Sequence, residues 1–121
     1  MAYTIELKTI TDERGSLTVI EKEVPFQIKR VYYVYNMPGD ASRGRHGHLR
    51  EKSALICLAG SCIVRVYDPE EHFFALDRPD LCLILLPKEW HEVTVSSEHS
   101  IVLALSSEYY NPDDYFREKP A

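Results

Sequence analysis

Apolar residues in this chain come in short bursts, each closed by a turn signal. Tyr3 to Ile10 is strand-like and ends at Asp12-Glu13-Arg14-Gly15. Ser16 to Glu21 alternates, with Leu17 and Val19 on one face. After Pro25, Ile28 to Tyr35 is rich in Val and Tyr, which favour strands, until Met37-Pro38-Gly39-Asp40 breaks it. Ser53 to Leu58 is a compact apolar run, and Ala59-Gly60-Ser61 suits a hairpin. Beyond it, Cys62, Val64 and Val66 alternate with Ile63, Arg65 and Tyr67. Turns at Asp68-Pro69-Glu70-Glu71 and Asp77-Arg78-Pro79-Asp80 bracket His72 to Leu76. Leu81 to Leu86, Trp90 to Val95 and Ser100 to Leu105 complete the set. About ten short strands at this spacing predict an all-β fold with little helix. Only a weak turn near Pro112 to Arg117 reads otherwise. The pattern fits an antiparallel double-sheet jelly roll, a barrel that can enclose a ligand cavity.

A chain of 121 residues is expected to form a single domain over 1–121 with its own core. A net charge of -5 supports neither a nucleic-acid nor a membrane-surface partner. No apolar stretch approaches the roughly 20 residues of a membrane span. The start, Met1-Ala2-Tyr3-Thr4-Ile5-Glu6, lacks the basic region and apolar core of a secretory signal. Cys57, Cys62 and Cys82 are odd in number and lie in apolar segments, so they read as buried free thiols in a reducing compartment. The expectation is a cytoplasmic protein.

The chemistry concentrates in Arg43-Gly44-Arg45-His46-Gly47-His48. Residues two apart on a strand share a face, so His46 and His48 present two imidazoles side by side. Such a pair can shuttle protons, bind a metal together with His91, or simply end a strand. For the metal reading Glu51 follows His48 too closely, and the favoured reading is metal-free acid–base chemistry without a cofactor. Arg43 and Arg45 precede the pair in an expected loop and would grip an anionic substrate, or else be solvated surface charges. In Ile28 to Tyr35, Tyr33 and Tyr35 share one face while Arg30 and Tyr32 share the other. Both faces cannot look inward; Tyr33 or Tyr35 is preferred for the cavity, with Arg30 a secondary contact. Trp90 reads as core or as a platform for a base or sugar, and His91 beside it as a barrel-mouth residue. Tyr109 to Tyr115 reads as a docked tail, a cavity closure or a reach toward another subunit.

Several of these motifs in the same order resemble the cupin-type nucleotide-sugar 3,4-ketoisomerases, the WxcM-like group related to dTDP-sugar epimerases. The resemblance runs from about Asp12 to Arg117. It rests on Arg14-Gly15-Ser16-Leu17, Pro25-Phe26-Gln27-Ile28-Lys29-Arg30-Val31-Tyr32-Tyr33 and Arg43 to His48. Cys57-Leu58-Ala59-Gly60-Ser61-Cys62, Trp90-His91-Glu92 and Tyr109 to Tyr115 extend it. It implies an RmlC-like barrel, a homodimer often with exchanged strands, and metal-free isomerisation of a dTDP-linked 4-keto-6-deoxyhexose. The carbonyl would move from C4 to C3 through an enediolate, toward the 3-amino sugars of surface glycans. Carried over by position, His48 would remove the C3 proton and His46 would assist. Tyr33 would be the phenol near the ketone and Arg43 would bind the diphosphate. Arg45, Arg30, Tyr35, Trp90 and His91 would be further substrate contacts. The chain departs from the family pattern at Gly47 and Leu49, in place of Ala and Lys, and near Ser53, in place of Gln. A nucleotide-sugar 3,5-epimerase, a non-catalytic nucleotide-sugar binding module and a metal-binding cupin are the competing readings.

Overall fold

Apolar runs without alternation have no face to give to water, and in this protein they become strands covered on both sides. The computed structural model describes residues 1–39 and 41–120; Asp40, the end of the expected Met37–Asp40 break, and Ala121 lie outside the described residues. The runs form β6 (Ser53–Ala59) and β9 (Leu81–Leu85). They sit inside a five-stranded sheet of order β1-β9-β6-β11-β4, completed by β1 (Tyr3–Glu6), β11 (Ile101–Ser106) and β4 (Arg30–Val34). Leu55, Cys57, Leu83 and Leu85 point into the main core. Ala54, Ile56, Cys82 and Ile84 point the other way, under Val24 and the partly buried Ile20, Phe26 and Ile28. Each such buried Leu or Ile contributes about 1.5–3 kcal/mol, enough to hold the strandless Val19–Lys29 segment in place.

Alternating runs build the facing sheet, of order β12-β5-β10-β7-β8. Its members are β12 (Tyr115–Phe116), β5 (Ser42–His48), β10 (Trp90–Val95), β7 (Cys62–Tyr67) and β8 (Glu71–Leu76). Cys62, Val64 and Val66 enter the shared core, while Ile63 stays 46% exposed. Every pairing is antiparallel, which gives the expected double-sheet jelly roll. The three cysteines are buried and free.

Three local expectations change. The strand expected over Tyr3 to Ile10 splits, because Leu7 turns into the core and its N–H donates to Asp80 O at 2.8 Å. The chain then leaves the sheet and forms a separate hairpin from β2 (Thr9–Asp12) and β3 (Gly15–Thr18). The segment of Arg43 and Arg45 is not a loop but part of β5. The weak turn near Pro112 is a single 3-10 turn, Pro112–Asp114, with the Asn111 side chain accepting from the Asp113 N–H. None of the described helical residues forms a helix long and apolar enough to cross a membrane.

Candidate active site

Strict alternation would put Arg43 and Arg45 on one face of β5 and His46 and His48 on the other. A bulge breaks that rule. Against β10 the register pairs Val93 with Arg43 and Glu92 with Gly44, then jumps to His91 with His46, leaving Arg45 as an extra residue. Gly44 and Arg45 both have positive φ, 83° and 52°. The reversal lets Arg43 and His46 line the same cavity. Arg45, expected as a substrate contact, does not line the cavity; its Nη1 lies 2.9 Å from Glu92 Oε2. Position 44 suits glycine twice over: its φ is positive, and a Cβ would lie 3.3 Å from His91 O and 3.4 Å from the His91 ring.

On β4 the structure reverses the expected face. Val34 pairs with Val102 in the main core, and Tyr32 pairs with Ala104 on the same side. Arg30, Tyr32 and Val34 therefore face inward. Tyr33 stands opposite Leu103 on the outer face, and Tyr33 and Tyr35 are 62% and 59% exposed, though both still line the cavity. The strand face expected to look inward is thereby corrected, while Tyr33 and Tyr35 keep their expected place on the cavity lining: apolar packing at Val34, not aromatic content, chooses the face.

The cavity, of about 650 Å³, lies at the barrel mouth between the two sheets. Arg30, Arg43 and Arg117 supply three guanidinium groups to its lining, and Tyr32, Tyr33, Tyr35, Tyr110 and Tyr115 supply five phenol rings. His46 and His91 complete its polar wall. Trp90, expected to touch substrate, does not line it. Next to His91 on β10 it faces the other way, 2% exposed, and its Nε1–H donates to Arg117 O at 3.1 Å. Its work is to hold the C-terminal tail.

That tail is docked and also closes the cavity. β12 pairs with β5, Tyr115 opposite His48 and Phe116 opposite Gly47. A Cβ at Gly47 would collide with the Phe116 ring and stand 2.6 Å from Glu89 O, so glycine at this place admits the tail. Asp114, 5% exposed, accepts the N–H groups of Arg50 at 2.9 Å and Glu51 at 3.1 Å.

Four rings cluster on the inner face. His46 lies 5.0 Å from His48, 4.9 Å from His91 and 4.7 Å from Tyr115, centroid to centroid. The two histidines of the motif differ in what surrounds them. The Nδ1–H of His46 donates to Gly44 O at 2.8 Å; a carbonyl only accepts, so Nε2 is the unprotonated nitrogen. Burial, aided by His48 and Arg117 nearby, holds its pKa below the usual imidazole range. His91, fully enclosed and facing His46 and His48, is pushed down to about 3. His48, by contrast, is 4% exposed and off the cavity lining. Its Nε2 is 3.0 Å from Glu51 Oε2, and its Nδ1 faces Asp114 Oδ2 at 3.4 Å. Tyr32 has its pKa raised, first by withdrawal from bulk water and then by Glu51, so it stays a phenol and a donor at neutral pH.

Sequence reasoning missed Tyr32, Tyr115, Arg117, Glu51 and Asp114 as site groups. Tyr115 and Arg117 sit two apart just beyond a Pro-capped turn, a spacing that signals a final strand presenting both to one face.

The family model described as "FdtA: WxcM-like, C-terminal" matches residues 2–121. A TDP-4-oxo-6-deoxy-alpha-D-glucose-3,4-oxoisomerase from Aneurinibacillus thermoaerophilus is 41% identical over 117 residues, covering 94% of this chain and 84% of that protein. The solved structure of QdtA, a sugar 3,4-ketoisomerase from Thermoanaerobacterium thermosaccharolyticum in complex with TDP, superposes with a TM-score of 0.92 at 40% identity, covering 97% of this chain and 88% of the other. A 3,4-ketoisomerase from Helicobacter canadensis gives the same TM-score at 34% identity, covering 97% and 90%.

Proposed function

Because this chain belongs to the FdtA family of WxcM-like, C-terminal domains, we infer that it is a 3,4-ketoisomerase of a dTDP-linked 4-keto-6-deoxyhexose. The observation that carries the reaction is His46: a neutral imidazole on the cavity wall, its tautomer set by Gly44 O and its Nε2 free to accept a proton.

In this reading the guanidinium groups of Arg43, Arg30 and Arg117 receive the diphosphate, and the sugar lies against His46. Nε2 of His46 takes the proton from C3, and the electron pair moves toward the C4 oxygen. The phenol of Tyr32 or Tyr115 donates to that oxygen as charge develops. O4 keeps the proton of the phenol, the O3 proton passes to the resulting phenolate, and the His46 imidazolium, after exchange with solvent, delivers a proton to C4, leaving a ketone at C3 and a hydroxyl at C4. Protons and electrons balance without an external oxidant. The resemblance gave the C3 proton to His48; this reading gives it to His46 instead, supported by the place of His46 on the cavity lining, which His48 does not join, and by the 3.0 Å contact of His48 Nε2 with Glu51.

The test is proton NMR of dTDP-4-keto-6-deoxyglucose with the protein in deuterated water. A 3-keto product carrying deuterium at C4 is expected. Exchange at C5 as well would make the protein an epimerase, and binding of dTDP without any exchange would make it a binding module.

The protein acts as a homodimer in this reading. Support comes from apolar side chains left uncovered: Ile10 and Leu17 of the hairpin, Val31 and Tyr33 of β4, and Tyr35 just beyond it, each more than half exposed. Light scattering at micromolar concentration should give twice the 14.0 kDa chain mass, and a monomer would refute it.

A further inference from the structure

One buried carboxylate ties the two halves of the cavity together without reaching its surface. Glu51 is 3% exposed and does not line the cavity. Its Oε2 lies 3.0 Å from His48 Nε2 and accepts from Ser53 Oγ at 3.0 Å. Its Oε1 faces Arg30 Nη2 at 3.8 Å. Arg30 in turn lies over the Tyr32 ring at 4.6 Å and near Tyr110 at 5.6 Å. His48 stands edge-on to His46, 88° between ring planes, with Tyr115 at 4.3 Å, so the His48 ring cannot turn without moving both. Burial alone would raise the Glu51 pKa, but hydrogen bonds from His48, Ser106 and Ser53 outweigh it and the carboxyl lies below its usual range. The group is an anion between two nitrogen donors.

We propose that Glu51 is a positioning residue for the proton transfer, holding His48 from behind and Arg30 from the side so that His46 and Tyr32 meet the sugar in fixed attitudes. The proposal rests on the ketoisomerase reading and deepens it. Nothing in it requires Glu51 to touch substrate. The sequence marks the residue only by its place three positions after His48, and the tertiary contact with Arg30 on β4 gives it its second role. Ser53 supports the carboxylate through its hydroxyl.

Glu51→Gln keeps the volume and removes the charge. It is expected to lower kcat by roughly 10- to 100-fold, the scale of a misplaced reacting group, with KM changed less than about threefold. The ring nitrogen resonances of His48 and His46 in 1H–15N spectra should both shift. Ser53→Ala, which removes one bond to Oε2, should lower kcat a few-fold in the same sense, and it decides the matter if Glu51→Gln does not fold. A Glu51→Gln protein that melts earlier but keeps kcat per folded molecule and unshifted His46 resonances would reduce Glu51 to a structural role and overturn the proposal. Absence of turnover in the unmodified protein would overturn the functional reading, and this proposal with it.

Discussion

His46→Asn is expected to lower kcat by about 10²–10⁴-fold, the usual contribution of a general base, while dTDP binds within a few-fold of its normal affinity. Asn keeps a donor for Gly44 O and fills similar space, so the bulge at Gly44–Arg45 survives. What disappears is the proton acceptor. Binding persists because the arginines that receive the diphosphate are untouched. The same assignment predicts the pH profile. A base must be unprotonated, and burial holds the His46 pKa below the ordinary 6.5. kcat/KM should therefore rise with pH along an acid limb centred below 6.5 and be flat through neutrality. His48→Asn should keep measurable turnover, since His48 acts through its neighbours. If His48→Asn abolishes turnover and His46→Asn does not, the roles are reversed.

Asp114→Ala should cost both stability and activity. Asp114 is almost fully buried and is the acceptor for two backbone N–H groups, those of Arg50 and Glu51. Leaving buried donors without partners costs about 1–3 kcal/mol each. A total of about 2–6 kcal/mol in a chain of this size lowers Tm by roughly 8–24 °C. The side chain also faces His48 Nδ1 and Arg50 Nε, so its loss removes those two contacts as well. Activity falls because Tyr115 and Arg117, one and three residues on, line the cavity only while the tail is docked. Thermal melts followed by circular dichroism, with kcat/KM on the same preparation, check it. An unchanged Tm with unchanged kcat/KM would show that β12 pairing and the Trp90 bond to Arg117 O hold the tail without Asp114.

The layered all-β fold was legible because its cause is local. Unbroken apolar runs such as Ala54 to Cys57 are covered on both faces, and alternating runs such as Cys62 to Tyr67 on one. The His46/His48 pair was equally plain, since spacing alone puts both on one face. The aromatic strand was different. Arg30 to Tyr35 carries polar-aromatic groups on both faces, so alternation says that the faces differ but not which looks inward. Val34 against Val102 decides that, and it favours Tyr32 over Tyr33. Arg43 and Arg45 look equivalent until a bulge inserts one of them and turns it outward.

By itself, then, the chain determined two sheets, a cavity between them, an imidazole pair and the family to which these motifs belong. Short-range periodicity and residue chemistry suffice for those. Tertiary structure alone decided which imidazole meets the cavity, which tyrosine faces it, and that Asp114 closes the site from 64 residues beyond Arg50. Each of those outcomes depends on a contact between segments far apart in the chain, and period-two patterning carries no information about which distant segment will supply the partner.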